Sequence, residues 1–349
     1  MERMSAVMPA EWEHHAGTWV AWPHQKADWP GKFEPVPWVW CEIIRHLARG
    51  ERVRVVVPEA KADQVKQTLL RAGADISVID LIPAPTDRVW LRDSGAATVW
   101  QGDGSRSLVN WRFNGWAKYP NCKRDARMGE VMAQFTGLPM VAPKHGGKRV
   151  VLEGGAIDVD GAGTLLTTEE CLLSAVQERN PGMTRVDYEQ VLGSQLGIRK
   201  VLWLNCGIAG DDTHGHVDDL ARFVGHGRVV CVEEPNSADP NHLPLRENLE
   251  RLASMTDADG HRLDVVRLPM PQPLFFDGQR LPASYANFYI ANHAVLVPTF
   301  NDSADRLAMG ILADLFPSRE VVGIHAVDLV WGLGTIHCLT QQEAGMRSG

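Results

Sequence analysis

Between residues 52 and 341 the chain passes five times through one order of patterns. Each pass is a β-branched run, a window of helical period, then two further strand-like runs bounded by Gly and Pro. The first unit is RVRVVVP (52–58), a helix near 60–72, ISVIDLI (76–82) and VWLRD (89–93). The second is SLVNWRF (107–113), a helix near 124–136, LPMVA (138–142) and RVVLEGG (149–155). TLLTT (164–168), a helix near 186–196, KVLWL (200–204) and HVDDLARFV (216–224) make the third. RVVCVEE (228–234), a helix near 243–255, LDVVRLP (263–269) and SYANFYIA (284–291) make the fourth. The fifth is HAVLVPTF (293–300), a helix near 302–315, EVVGIHA (320–326) and TIHCLTQ (335–341). Such self-similarity predicts a repeat architecture rather than unrelated domains. Closing the units around an axis removes exposed strand edges. The expected fold is therefore α/β: a five-bladed αβ propeller with a pseudo-fivefold repeat of strand–helix–strand–strand units, one domain over 1–349. An ordinary doubly wound α/β sheet is the rival.

Charge and composition narrow the function classes. The net charge of −8 argues against a nucleic-acid surface and suits a cationic ligand. No run approaches the roughly 18 apolar residues of a membrane helix. MERMSAVMPAEWEHH carries acids and no apolar signal core. The six cysteines show no CxxC pair, which fits a reduced, cytoplasmic chain. Twelve tryptophans against four tyrosines leave enough to line an aromatic pocket. Any that stay exposed would let two copies pair as a homodimer.

The last run of each unit is chemically loaded: RD at 92–93, EGG at 153–155, HGHVDD at 214–219, YAN at 285–287 and IHC at 336–338. Units sharing an axis would bring these segments to one central pocket. GLGTIHC delivers Cys338 from a tight glycine turn, as a presented nucleophile requires, although most free cysteines are buried and inert. Asp93 suits either a helix cap or a partner for Arg92. Glu153 ends an apolar strand and needs a cation or histidine beside it, with glycines behind it allowing close approach. His216 and Asp218 alternate along a strand and so point the same way, a proton-transfer group beside an anion; His214 shares their parity. His337, next to Cys338 on a strand, would point away from it.

HGHVDD also invites a metallo-hydrolase reading, with His214, His216 and Asp218 as ligands. Asp219 stands where that pattern needs a further histidine, and the next is His226, so the ligand count is short and no metal is expected.

WLRD, LEGG, DDTHGHVDD and GLGTIHCLTQQ, in this order, resemble the agmatine deiminase and bacterial peptidylarginine-deiminase-like family of the guanidine-modifying (pentein) superfamily. The resemblance runs from about Trp12 to Gln342 and implies the five-bladed αβ propeller. It implies Cys338 as the nucleophile, His216 as the general acid/base, and Asp93 and Asp218 as the carboxylates that hold a guanidinium. Glu153 would bond both guanidinium and histidine, and Trp90 would be an aromatic at the substrate site. No cofactor is implied, and the partner is a small cationic guanidino molecule. Agmatine is the expected substrate, hydrolysed to N-carbamoylputrescine and ammonia through an amidino-cysteine; free arginine and peptidyl-arginine are the alternatives. Asp212, or the Trp-rich segment at 19–29, would receive the distal amine. Leu333, Thr335, His214, Asp219 and Ala156 depart from the family's usual GGGNIHC, DTDGHVDN and EGGN. A catalytically silent binding module is the remaining rival, against which the complete Cys, His, Asp, Asp, Glu set argues.

Overall fold

The computed structural model describes residues 6–347. Five of its sheets follow one pairing rule: a central strand takes an antiparallel neighbour on one side and a parallel neighbour, reached through a helix, on the other. Thus Arg106–Val109 pairs antiparallel with Ala97–Trp100 and, across helix Met128–Thr136, parallel with Met140–Val141. Thr164–Thr168 lies between Asp158–Val159 and Lys200–Leu204, with helix Arg185–Leu196. Arg228–Glu233 lies between Ala221–Gly225 and Asp264–Pro269, with helix His242–Ser254. Ala294–Thr299 lies between Tyr289–Ile290 and Glu320–His325, with helix Ala304–Leu315. In the remaining sheet, His15–Ala21 pairs parallel with Arg52–Val57 across helix Val36–Leu47. Its antiparallel neighbour, Gln341–Ala344, comes from the other end of the chain.

The central strands read as continuous apolar runs because parallel strands under helices are covered on both faces. Most of VVCV and AVLV is wholly buried. Helix Arg185–Leu196 starts at a Thr184–Asp187 capping box and stops at Gly197 in the left-handed region, each satisfying end groups the helix leaves unpaired. Among the described residues no helix is long and apolar enough to cross a membrane.

The α/β class and the helices stand as expected, but the repeat is phased differently. The unit begins with the antiparallel strand, and the first unit, which includes the unassigned strand His15–Ala21, is split between the two ends of the chain.

The loaded segments are also not strands. Leu91–Ser94 and Ile336–Leu339 are single helical turns, Gly154–Ala156 and Val217–Asp219 are 3-10 turns, and 284–287 is a turn. Short polar side chains bond the local backbone and outcompete a ladder. Ser94 Oγ donates to the Trp90 carbonyl at 3.1 Å, and Ser284 Oγ accepts from the Ala286 N–H at 3.1 Å. Asp211 Oδ2 accepts from the N–H groups of Gly215 at 2.7 Å and His216 at 3.1 Å. Each turn leads into the antiparallel strand of its sheet. The turn at Leu91–Ser94 touches those at Ile336–Leu339 and Gly154–Ala156, and the latter touches Val217–Asp219.

Candidate active site

Where these turns meet, Cys338, His216, Glu153, Asp93 and Asp218 come together, all buried. Gly155 marks the point of convergence. A Cβ there would lie 2.6 Å from His216 Nδ1, 2.9 Å from Asp93 Oδ1 and 3.0 Å from Asp218 Oδ2, so three functional groups occupy the space a side chain would fill. Gly334 serves the other wall in the same way, since its Cβ would meet the Trp90 ring at 2.8 Å and Cys338 Cβ at 3.1 Å.

Cys338 Sγ receives the Nδ2 amide of Asn287 at 3.1 Å and lies 3.7 Å from Asp218 Oδ2. Burial pushes its thiol well above the ordinary cysteine range, and Asp218, Asp219 and Asp93 add to the effect. Cys338 at rest is thus a neutral thiol, and a cation beside it would favour the thiolate.

His216 is fully buried, with Asp93 Oδ1 at 3.8 Å, Glu153 Oε2 at 3.8 Å and Asp218 Oδ1 at 4.0 Å. Burial opposes its charge, but Asp93 outweighs that, aided by Cys171 and Glu153, and the imidazolium is favoured. Burial raises Asp93 to about 6, with Asp218 and Glu153 adding to the rise while His216 and the Trp116 indole oppose it. Glu153 moves the other way: burial raises it, but Arg179 at 3.2 Å, with His216, brings it below the usual carboxylate range. Among the described residues, neither ring nitrogen of His216 has a hydrogen-bond partner, nor does Asp218 Oδ1. A buried carboxylate oxygen without a donor fits a cationic N–H ligand.

Above Cys338 opens a cavity of about 230 Å³ whose walls include Trp90, Trp116, Trp331, Leu333 and Asp212. Of the 19–29 segment, Ala27 and Asp28 reach it, while Trp29 stacks behind Trp90 at 5.8 Å. Asp212 is at the mouth as expected, but its carboxylate is engaged by Lys118 and Tyr119.

His214 takes no part in this cluster. Its backbone is left-handed (φ 66°), and its ring turns to Ser174 Oγ at 3.1 Å and Glu170 at 3.7 Å. The set His214, His216 and Asp218 is therefore not assembled. The parity argument failed because residues 214–219 are a turn, where alternation does not hold. His337 likewise does not point away. In a helical turn it faces Asp218 and Glu11, at 2.7 and 2.8 Å.

A family model for Porphyromonas-type peptidyl-arginine deiminases matches residues 7–344. The chain belongs to this family. An agmatine deiminase of Pseudomonas fluorescens is 36% identical over 359 residues, covering 96% of this chain and 95% of its own. Among solved structures, an agmatine deiminase of Enterococcus faecalis superposes with a TM-score of 0.88 at 32% identity, covering 97% of this chain and 96% of that one. A C. jejuni agmatine deiminase with substrate bound gives 0.86 at 27% identity, covering 99% and 98%.

Within this member of the family, several site residues escaped the sequence reading. Asn287 was seen only as part of YAN; its Oδ1 accepts from Thr335 Oγ1 at 2.7 Å and the His337 N–H at 3.0 Å, while Nδ2 faces Cys338 and Asp219. Trp116 Nε1 donates to Asp93 Oδ2 at 2.9 Å, and Arg179 holds Glu153. Cys171 lies with His216 and Glu153 in one buried cluster. Trp116, Arg179 and Cys171 sit in no loaded segment, and nothing in their local sequence marks them.

Proposed function

We propose that this family member is an agmatine deiminase, with its five sheets arranged as the blades of a propeller around the central cluster and the whole chain acting as one catalytic domain. The observation that carries the proposal is the convergence of Asp93, Asp218, Glu153 and His216 beside Cys338 under an aromatic-walled cavity. A guanidinium is planar and cationic, and carboxylates flanking it hold its N–H groups and aim its carbon at sulfur. The relatives' agmatine deiminase names and the acidic balance of the chain favour agmatine.

In this reading the guanidinium binds between Asp93 and Asp218, with Trp90 against its face. Its charge offsets the carboxylates that hold the Cys338 thiol neutral, and the thiol proton passes out through the cavity to solvent. Sγ bonds to the guanidinium carbon, His216 protonates one nitrogen, and the C–N bond breaks to release ammonia. The amidino-cysteine remains. Water gives a proton to His216 and bonds to the same carbon; the C–S bond then breaks, the proton left on the new hydroxyl passes to sulfur to restore the resting thiol, and N-carbamoylputrescine is released. Glu153, held by Arg179, keeps His216 charged and oriented. The residues themselves supply every group these steps use, so the reading needs no cofactor. A cytoplasmic location suits six unpaired cysteines, and Trp38, 58% exposed, offers an apolar site for self-association.

A second reading, free arginine or another guanidine with an anionic tail, is favoured by Lys118 and Arg88 beside the cavity mouth. A colorimetric ureido assay across agmatine, arginine and arginyl peptides separates the two. Agmatine should give the highest kcat/KM, and Cys338→Ser should remove turnover while the fold is kept. Undiminished activity in that variant would sink the proposal.

A further inference from the structure

Glu11 lies near the amino terminus and His337 on the turn that carries Cys338, yet their side chains meet in the interior. His337 has Asp218 Oδ2 at 2.7 Å from Nδ1 and Glu11 Oε2 at 2.8 Å from Nε2. A ring with a carboxylate oxygen against each nitrogen is placed to donate from both. Glu11 is itself fixed: Arg222 Nη2 lies 2.9 Å and Arg92 Nη2 3.2 Å from its oxygens, and the Ile290 N–H donates to it at 2.8 Å. Burial alone would raise its carboxyl, but Arg222, with His337 and Arg92, holds it well below the usual range. Arg222 also reaches Asp158 at 3.1 Å, so the whole chain of charges is buried and paired.

The consequence falls on Asp218. The last torsion of a carboxylate is broad, so the plane of an unrestrained Asp218 could turn over a wide range. The bond to His337 removes that freedom. Oδ2 is engaged, 3.7 Å from Cys338 Sγ, while Oδ1 is left without a partner, 4.0 Å from His216 Nδ1.

We infer that His337, backed by Glu11, is a positioning residue that holds one oxygen of Asp218 and so fixes the plane of the carboxylate, keeping the other oxygen turned toward the reacting end of the substrate. This rests on the guanidine-hydrolase reading above. It explains why a charged pair joins the start of the chain to its catalytic turn.

The amide of Asn reaches about where Nδ1 of a histidine stands, and that of Gln about where Nε2 stands. His337→Asn should therefore keep the donor to Asp218, while His337→Gln keeps only the link to Glu11. For purified full-length variants we expect His337→Asn to stay within ~10-fold of wild-type kcat/KM on agmatine. His337→Gln should lose ~10–100-fold, the scale for partners that orient a site ligand, with KM rising more than kcat falls. Equal losses, or a smaller loss in Gln, overturn the clamp, because a purely packing role has no reason to rank the amides this way. Should neither variant fold, Glu11→Gln keeps an oxygen facing Nε2. A few-fold rise in KM supports the clamp there, and a loss confined to kcat overturns it.

A second readout needs no substrate. Asp218 is one of the carboxylates that suppress the Cys338 thiol, so freeing it should change the rate of iodoacetamide alkylation at Cys338 in the Gln variant and not in the Asn variant. A rate alike in both overturns the clamp. A wild-type protein that converts no guanidine overturns the proposed function instead, and the alkylation rates still decide the clamp.

Discussion

Asn287 Nδ2 lies 3.1 Å from Cys338 Sγ, and its carbonyl oxygen, held by the Thr335 hydroxyl and the His337 N–H, stands farther off at 3.5 Å, so the N–H₂ is the nearer group to sulfur. Hydrogen bonds to a charged form favour it. In a pocket whose carboxylates all oppose a thiolate, Asn287 is the donor placed to stabilise one. Asn287→Ala should slow alkylation of Cys338 at pH 8 and lower kcat by about 100–1,000-fold, the range seen when one anion-stabilising donor is removed. Iodoacetamide kinetics beside steady-state rates check this; unchanged alkylation would remove Asn287 from thiolate stabilisation.

Gly155→Ala should be nearly inactive although alanine is the smallest change available. The added methyl would lie 2.6 Å from His216 Nδ1 and 2.9 Å from Asp93 Oδ1, so one of these buried side chains must leave its place. Overpacking of this kind costs about 1–3 kcal/mol. We expect a measurably lower Tm together with a loss of kcat/KM of at least ~100-fold, since a shift near 1 Å has that effect on reacting groups.

Asp93 links acid sensitivity to stability. With its carboxyl at about 6, kcat/KM should fall as pH drops below that value, because a protonated Asp93 no longer holds a guanidinium. The sign for stability is the reverse of the usual carboxylate case. The folded pKa lies above the unfolded one, so between about 4 and 6 the native state binds more protons and stability declines as pH rises. Ionised Asp93 then costs roughly 3 kcal/mol above pH 6, an order-of-magnitude figure. Asp93→Asn should therefore be inactive yet melt higher than wild type at pH 8, with the difference shrinking toward pH 4. Calorimetry across that range checks it, and a flat difference would refute it.

Lys118 occupies the carboxylate nearest the expected distal amine. Removing it in Lys118→Gln leaves Asp212 with only the Tyr119 hydroxyl and its charge open to an ammonium, so KM for agmatine should fall several-fold, on the scale of about 1 kcal/mol for an exposed pair. KM for arginine, whose carboxylate would lose a cation, should rise. Paired kinetics on the two substrates test this, and parallel changes would show that Lys118 does not discriminate between them.

The placement of Leu333 shows where local and tertiary information part. It sits at φ 67° between Gly332 and Gly334, a conformation that costs an L-residue roughly 1–2 kcal/mol. Glycine spacing alone revealed a tight turn there. Why the turn is tight depends on distant groups, because a Cβ on Gly332 would strike Trp29 at 2.5 Å and one on Gly334 would strike Trp90.

Composition and order alone determined much of this protein. Alternating β-branched runs and helical windows specify five strand–helix–strand passages, since those periods are local properties of the chain. The polar segments at 92–93, 153–155, 214–219, 285–287 and 336–338 mark the functional turns, because costly groups do not persist at apolar strand ends without use. Only the tertiary structure decided how those groups face one another. Orientation in a turn follows from hydrogen bonds to partners far away in sequence, not from alternation. Hence strand alternation alone turns His337 away from Cys338 and aligns His214 with His216, and the sequence alone leaves the Asp212 carboxylate open to an amine. The long-range partners Glu11, Ser174 and Lys118 decide those three, and Trp116 and Arg179 complete the site around Asp93 and Glu153.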